Sequence, residues 1–178
     1  NEGRWEVVSA GGYTKLPLLD LQFKENSEAG GMNLVVFDAD FEENGGGFVA
    51  RKSYLQARLA ELALEADLFL FPNDKADGDF ETLLENIVNK EHECLLRCFE
   101  QYERCVAGHC DAEGKPKYLL PTRKAKIYAY VESIKKSRRE AERFKGGKEF
   151  FFDDSRYWDL NSSYLFPLRS FLETRVVG

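Results

Sequence analysis

Two carboxylates follow a short apolar run in the first quarter of the chain. Residues 33–40 read Asn-Leu-Val-Val-Phe-Asp-Ala-Asp, so Asp38 and Asp40 come directly after four apolar residues. Such a run is typical of a buried parallel strand, and ligands gather at the carboxyl ends of parallel strands. Neighbouring carboxylates repel each other unless a cation lies between them, and oxygen-only sites favour Mg²⁺ or Mn²⁺. We therefore predict a divalent cation site at Asp38 and Asp40. An Asp-rich turn without an ion is the alternative.

A third carboxylate is expected at the same edge of the sheet. Residues 67–72 predict the next strand, and a polar loop then leads into a helix predicted from Glu81 to about Val106. Successive parallel strands end at one edge, so this loop starts near Asp38 and Asp40. Glu81 is either a third metal ligand or an acidic residue in the first turn of the helix. Asp79 is predicted as the N-cap of that helix.

The order of the remaining elements indicates an α/β fold. The pattern predicts a strand at residues 5–9, a Gly-Gly-Tyr turn at 11–13, a helix at 16–23 and an amphipathic helix at 52–65. Strands and helices that alternate in this way form a mostly parallel, Rossmann-like sheet flanked by helices. Further along we expect a loop at 107–118, a strand or helix start at 127–131, an aromatic cluster at 150–158 and a short closing helix at 165–172.

Charge is distributed unevenly along the chain. The net charge is −6, but residues 115–148 carry twelve Lys or Arg against three Glu, a local +9, which leaves −15 on the remainder. A basic segment in an acidic protein indicates a phosphate-bearing partner such as nucleic acid, with a solvated helix face as the alternative. No apolar run approaches the ~20 residues that cross a bilayer, and no signal peptide is visible. We therefore predict no membrane association and a cytoplasmic location.

The four cysteines and both histidines lie in one short region of the sequence. They are His92, Cys94, Cys98, Cys105, His109 and Cys110. Their spacing lacks the paired Cys-x-x-Cys knuckles that identify a zinc site. We predict ordinary reduced cysteines of a cytosolic protein, with structural zinc as the alternative.

Several of these segments resemble a known family. Residues 35–40, 69–72 and 78–84 together look like a Toprim-like domain, the Mg²⁺-binding α/β module of topoisomerases, primases and OLD-family nucleases. The turn at 11–13 and the stretch 121–130 are similar to those of small bacterial Toprim-like proteins of unknown function. The resemblance implies that Asp38 and Asp40 bind the metal, with Glu81 as a further acid. It also implies nuclease-type phosphodiester chemistry on nucleic acid.

The resemblance extends to the basic residues. A nearby lysine such as Lys124 or Lys126 would neutralise developing charge, and we take Lys126 as the catalytic one. Arg123, Lys124 and Lys126 are expected to contact phosphate, and Gly12 allows the backbone to approach a ligand. Residues 1–110 are expected to form the Toprim-like core. Residues 111–178 form a basic and aromatic-rich helical extension packed on that core, within one domain overall.

One feature of the family is missing from the sequence. The family has a glutamate on a strand that precedes the strand predicted at residues 5–9, and Glu2 is too close to that strand to serve. The chain also begins with Asn1 rather than Met. We expect either that an upstream strand is absent from this chain or that this branch has lost full catalysis.

Two other functions fit parts of the sequence. Residues 37–40 are similar to the nucleophile motif of haloacid-dehalogenase-like phosphatases, and residues 150–154 to their late metal motif. Asp38 would then attack phosphorus and Asp40 would act as acid and base, although Glu42 stands where the motif has a small Thr or Val. The other alternative is a Toprim-derived binding or regulatory module that is not an enzyme. It would use the basic segment to hold nucleic acid or a protein.

Overall fold

The computed structural model describes residues 5–176, which form a mixed α/β protein. The strands are β1 (Leu34–Asp38) and β2 (Asp67–Phe71). The α-helices are α1 (Asp20–Glu28), α2 (Phe48–Glu61), α3 (Phe80–Asn86), α4 (Glu93–Ala107), α5 (Arg123–Ser133), α6 (Arg138–Phe144) and α7 (Phe166–Val176). Short 3-10 helices span Tyr13–Leu19, Glu42–Asn44, Lys90–His92 and Ser163–Leu165.

The sheet confirms the two strands predicted around the carboxylates. β1 and β2 pair in parallel, from Leu34 opposite Asp67 to Asp38 opposite Phe71. Within residues 5–176 these two strands are the whole sheet. Both therefore end at the same edge, which brings the loops that follow them close together. The larger Toprim-like sheet stays a prediction.

Helix α2 connects the two strands and covers one side of the sheet. Its buried positions, Arg51, Leu55 and Leu59, recur every four residues and form one stripe. The leucines pack in a core cluster of apolar side chains. The fully buried members are Leu16, Val35, Ala39, Leu55, Leu59, Leu64 and Leu70. The helix begins four residues earlier than predicted and ends at Glu61, just before Ala63 adopts a left-handed φ of 51°.

The strand predicted at residues 5–9 is not formed. Residues 5–10 have no regular structure, and the side chain of Val7 is 94% exposed. A strand is stable only when a neighbour completes its hydrogen-bond ladder, and β1 pairs with β2 alone among the described residues. Glu2, the residue considered above as a counterpart of the family glutamate, lies outside the described residues.

The single long helix predicted from Glu81 is also wrong, because it is interrupted after α3. The N–H of Asn89 donates to the carbonyl of Tyr157 at 2.9 Å, and the N–H of Asp159 donates to the carbonyl of Ile87 at 2.6 Å. The Asn89 side chain accepts the N–H of Glu91 at 3.0 Å and starts a 3-10 turn. Hydrogen bonds to residues 157–159 thus replace the helical bonds, and the chain resumes as α4.

The described residues group into two compact units. The first comprises residues 5–83 with 163–176, and the second comprises residues 84–162. The boundary predicted at residue 110 lies inside the second unit, whereas a single domain overall stays a prediction. The segment 127–131 belongs to α5, and the closing helix is α7. No helix among the described residues is long and apolar enough to cross a membrane.

In the second unit, the ammonium group of Lys136 caps the C-terminal end of α5. This group donates to the carbonyl of Ile134 at 2.9 Å, to that of Glu132 at 3.3 Å and to that of Val131. A lysine at this position satisfies helix carbonyls that would otherwise lack a donor. Lys136→Met keeps the apolar stem but removes the donor, so we expect it to lower the free energy of unfolding by about 1 kcal/mol.

Denaturant unfolding measures this effect. The exposed neighbour Lys135 offers a matched control, because no hydrogen bond or ion pair of its side chain is found among the described residues. Lys135→Met is expected to change stability by less than about 0.5 kcal/mol. Equal effects of the two substitutions would contradict the capping role.

Candidate functional site

Asp38 ends β1 with a half-buried carboxyl group. Its Oδ1 accepts the N–H of Phe80 at 2.8 Å. Burial raises the pKa of Asp38 to about 6; the Phe80 hydrogen bond opposes this rise, and the charges of Asp40, Glu81 and Asp79 add to it. Within residues 5–176, the Glu81 carboxylate and the other oxygen of Asp38 have no hydrogen-bond or ion-pair partner. The structure thus brings together three predicted site residues, Asp38, Asp40 and Glu81.

Asp40 is held in a strained turn just beyond β1. Its φ is 61°, a left-handed value that aspartate and asparagine tolerate better than most residues. Its N–H donates to the Gly78 carbonyl at 2.7 Å, and the Gly78 N–H donates to the Asp40 carbonyl at 2.9 Å. The Asp40 carboxylate accepts a hydrogen bond from Arg51 at 2.7 Å. The cation next to Asp40 is therefore the guanidinium of Arg51.

Arg51, which contacts the candidate site through Asp40, was not predicted from the sequence. Its side chain is 5% exposed, and its guanidinium carbon lies 3.3 Å from the ring centroid of Tyr13. The buried Nε has no hydrogen-bond partner in the described part of the chain. The available signal was the helical period, because Arg51 stands four and eight residues before Leu55 and Leu59. A charged residue on the buried stripe of an amphipathic helix must find a partner.

The loop between β2 and α3 is held by acidic caps. Asp79 Oδ1 accepts the N–H of Thr82 at 2.7 Å and its hydroxyl at 2.6 Å, which confirms the predicted N-cap of α3. Asp77 Oδ1 accepts the N–H of Phe48 at 2.6 Å, at the start of α2. Both carboxylates therefore have structural roles. Glu81 lies in the first turn of α3, and its carboxylate has no hydrogen-bond or ion-pair partner among residues 5–176.

Lys126 and Arg123, predicted to contact phosphate, are paired with acids. Lys126 is 9% exposed, and its ammonium lies 3.2 Å from Glu85, 3.8 Å from Glu100 and 3.9 Å from Glu103. Arg123 lies 3.0 Å from the other oxygen of Glu85. These residues belong to the second unit, whereas Asp38 belongs to the first. A catalytic role for Lys126 stays a prediction, and its charge is already balanced within its own unit.

Two further predicted phosphate contacts are accessible. Lys124 lies in the first turn of α5 with an exposed side chain. Gly12 is exposed and has a φ of 130°, and no heavy atom lies within 4 Å of the position that a Cβ would take. An L-residue would be strained there. The structure is therefore compatible with a ligand close to this backbone, and phosphate contact at both residues stays a prediction.

The carboxylates around Asp38 carry the oxygen atoms that Mg²⁺ prefers, whereas zinc in proteins is mostly held by Cys and His. Among the described residues, no group of three His, Cys, Asp or Glu side chains is arranged to hold a metal, and the four cysteines are exposed and free. The distance between Cys105 Sγ and His109 Nε2 is 4.0 Å, which is too long for two ligands of one zinc ion to be inferred from it. Mg²⁺ keeps several waters and needs one or two protein carboxylates. Asp38 and Glu81, which interact electrostatically, would be the two carboxylates left to such an ion, because the Asp40 carboxylate is paired with Arg51.

The phosphatase alternative requires carboxylates that already have arginine partners in the structure. Its acid and base would be Asp40, whose carboxylate is bound by Arg51. In its late metal motif, Asp154 accepts hydrogen bonds from the N–H and guanidinium of Arg156, which lower the pKa of Asp154. Comparison of the chain with protein-family models, curated proteins and solved structures finds no match. The resemblance to Toprim-like domains therefore stays a prediction from the sequence.

Proposed function

We propose that this chain binds Mg²⁺ or Mn²⁺ through Asp38 and Glu81 and carries out phosphodiester chemistry on nucleic acid. The observation that carries the proposal is the state of Asp38, a half-buried carboxyl crowded by Asp40, Glu81 and Asp79. Arg51 neutralises Asp40, and Thr82 binds Asp79. A divalent cation would balance the charge that remains on Asp38 and Glu81.

The roles of the chain's own groups follow from their contacts. The ion, when bound, polarises a phosphoryl oxygen and activates a water. The Phe80 N–H orients the Asp38 carboxylate and leaves its second oxygen available to a ligand. Arg51 holds Asp40 in place and adds a fixed positive charge beside the anionic substrate. The four free cysteines favour a reducing compartment, and we place this activity in the cytoplasm.

Calorimetric titration with Mn²⁺ tests the proposal before any activity assay. We expect saturable binding to the unmodified chain and at least a tenfold weaker affinity, about 1.4 kcal/mol, for Asp38→Asn and for Glu81→Gln. Each substitution removes one of two anionic ligands and preserves the size of the side chain. The measurement does not depend on a substrate, so it separates metal binding from catalysis.

Glu61→Gln provides the matched control, because Glu61 is an exposed carboxylate at the far end of α2, paired with Arg58. Its affinity for Mn²⁺ is expected to equal that of the unmodified chain. Absence of Mn²⁺ binding, or equal weakening by Glu61→Gln, would overturn the proposed metal site. A metal-dependent nuclease assay on single- and double-stranded DNA and RNA then tests the chemistry.

A further inference from the structure

The positive charge of the basic segment is not equally available along its length. Arg123 and Lys126 in α5 lie against Glu85, and Lys126 also approaches Glu100 and Glu103. A phosphate arriving there would have to displace carboxylates already in place. Two of the residues predicted to contact phosphate, Arg123 and Lys126, are thus already paired with acids.

The part of the segment around α6 has the opposite balance. Its acids already have cationic partners: Glu140 pairs with Arg156, Glu142 with Lys145 and Glu149 with Arg143. Within this part of the segment, four exposed cations form no ion pair with any of residues 5–176. They are Lys135, Arg138, Arg139 and Lys148. This surface therefore keeps a net positive charge that the folded chain does not balance.

The shape of this surface suits an extended polyanion. Arg138 and Arg139, which have no ion pair in the described part of the chain, line an open depression of about 610 Å³ together with Glu142 and with Arg143, which is paired with Glu149. Neighbouring guanidinium groups bind phosphate oxygens in a bidentate manner, which makes arginine the preferred residue for phosphate contacts. A shallow, open surface fits a chain of phosphates better than a small enclosed ligand.

We propose that α6, with Lys135 and Lys148 on its flanks, binds the phosphate backbone of nucleic acid. This inference rests on the proposed function for the class of substrate and names the surface that holds it. Helix α6 is fixed independently of its arginines, because Ser137 and Glu140 form a capping box and Phe144 is buried. Arg138 and Arg139 can therefore be replaced without removing a contact that holds the helix.

Fluorescence anisotropy with a labelled 20-nucleotide single-stranded DNA, in EDTA and at several KCl concentrations, tests this surface. Arg138→Gln/Arg139→Gln is expected to weaken binding about tenfold. It should also reduce the slope of log affinity against log salt by about 1.4, since each phosphate contact contributes about 0.7. The charge-matched control is Arg97→Gln/Arg104→Gln in α4, where both side chains are exposed. It should leave the slope unchanged.

Three results would overturn the inference: no binding by the unmodified chain, equal weakening by both double variants, or competition by polyglutamate as effective as competition by DNA. The last result would indicate an acidic protein partner instead. Because EDTA is present, Asp38→Asn should bind DNA as tightly as the unmodified chain. Failure here and failure of the Mn²⁺ titration are therefore independent outcomes.

Discussion

Asp40→Asn is expected to lower the free energy of unfolding by about 2 kcal/mol. The substitution leaves the Arg51 guanidinium 95% buried without its anionic partner, which lies 2.7 Å away in the unmodified chain. A buried charge that loses its partner keeps its full desolvation penalty. The estimate lies below the usual range for buried pairs because 40% of the Asp40 side chain is exposed. Asparagine tolerates the left-handed φ of this position as well as aspartate does, so backbone strain is unchanged.

Urea unfolding of four proteins in a double-mutant cycle measures this effect: the unmodified chain, Asp40→Asn, Arg51→Met and the double variant. The double variant is expected to be more stable than Asp40→Asn, because methionine needs no partner at the buried position. Arg51→Met alone leaves the Asp40 carboxylate partly in contact with water. It should therefore lower the free energy of unfolding less than Asp40→Asn does. Additive effects of the two substitutions would show that the ion pair contributes nothing to stability.

Asp38→Asn is expected to change stability in the opposite direction. It should raise the free energy of unfolding at pH 8 by about 2 kcal/mol. Folding raises the pKa of Asp38 from 3.8 to about 6. Between these values the unfolded chain has released the proton while the folded chain still holds it, so rising pH favours unfolding. Asparagine cannot ionise, so the variant does not lose stability in this way as the pH rises. Its side-chain oxygen still accepts the hydrogen bond from the Phe80 N–H. The figure is discounted for the remaining contact of Asp38 with water.

The pH dependence identifies the cause of this stabilisation. In EDTA, the difference between Asp38→Asn and the unmodified chain should be close to zero at pH 4, grow as the pH rises to 6 and stay constant above pH 7. Denaturant unfolding at five pH values from 4 to 8 follows it. A difference that does not vary with pH would point to packing instead of ionisation.

Asp38 and Asp40, two residues apart, are therefore expected to affect stability in opposite directions. We expect Asp40 to stabilise the fold through its ion pair with Arg51, and Asp38 to lower the stability of the metal-free fold at neutral pH. A carboxylate kept at the expense of stability is typical of a functional site, and a bound cation is expected to recover the loss. Opposite signs for the two asparagine variants would be difficult to obtain from two equivalent metal ligands.

Features that depend on local physical chemistry can be predicted from the sequence. The apolar run before Asp38 predicts β1, although Val36 is 38% exposed where the run indicates burial on both faces. The helical period predicts α2, and Asp79 stands where its oxygen reaches the Thr82 N–H. Strand ends, helix faces and caps are decided within a few residues of the chain, and the pairing of β1 with β2 follows from the order of the elements.

Contacts between segments that are distant in the sequence determine which charges have partners. Arg51 lies eleven residues from Asp40, and the pair forms because the turn at Asp40 and the buried stripe of α2 face each other. Residues 157–159 interrupt the helix predicted from Glu81 through hydrogen bonds across some seventy residues of chain. Glu85 pairs with Arg123 and Lys126, which lie about forty residues further along the chain. Such pairings depend on packing over long sequence distances, and no local pattern records them.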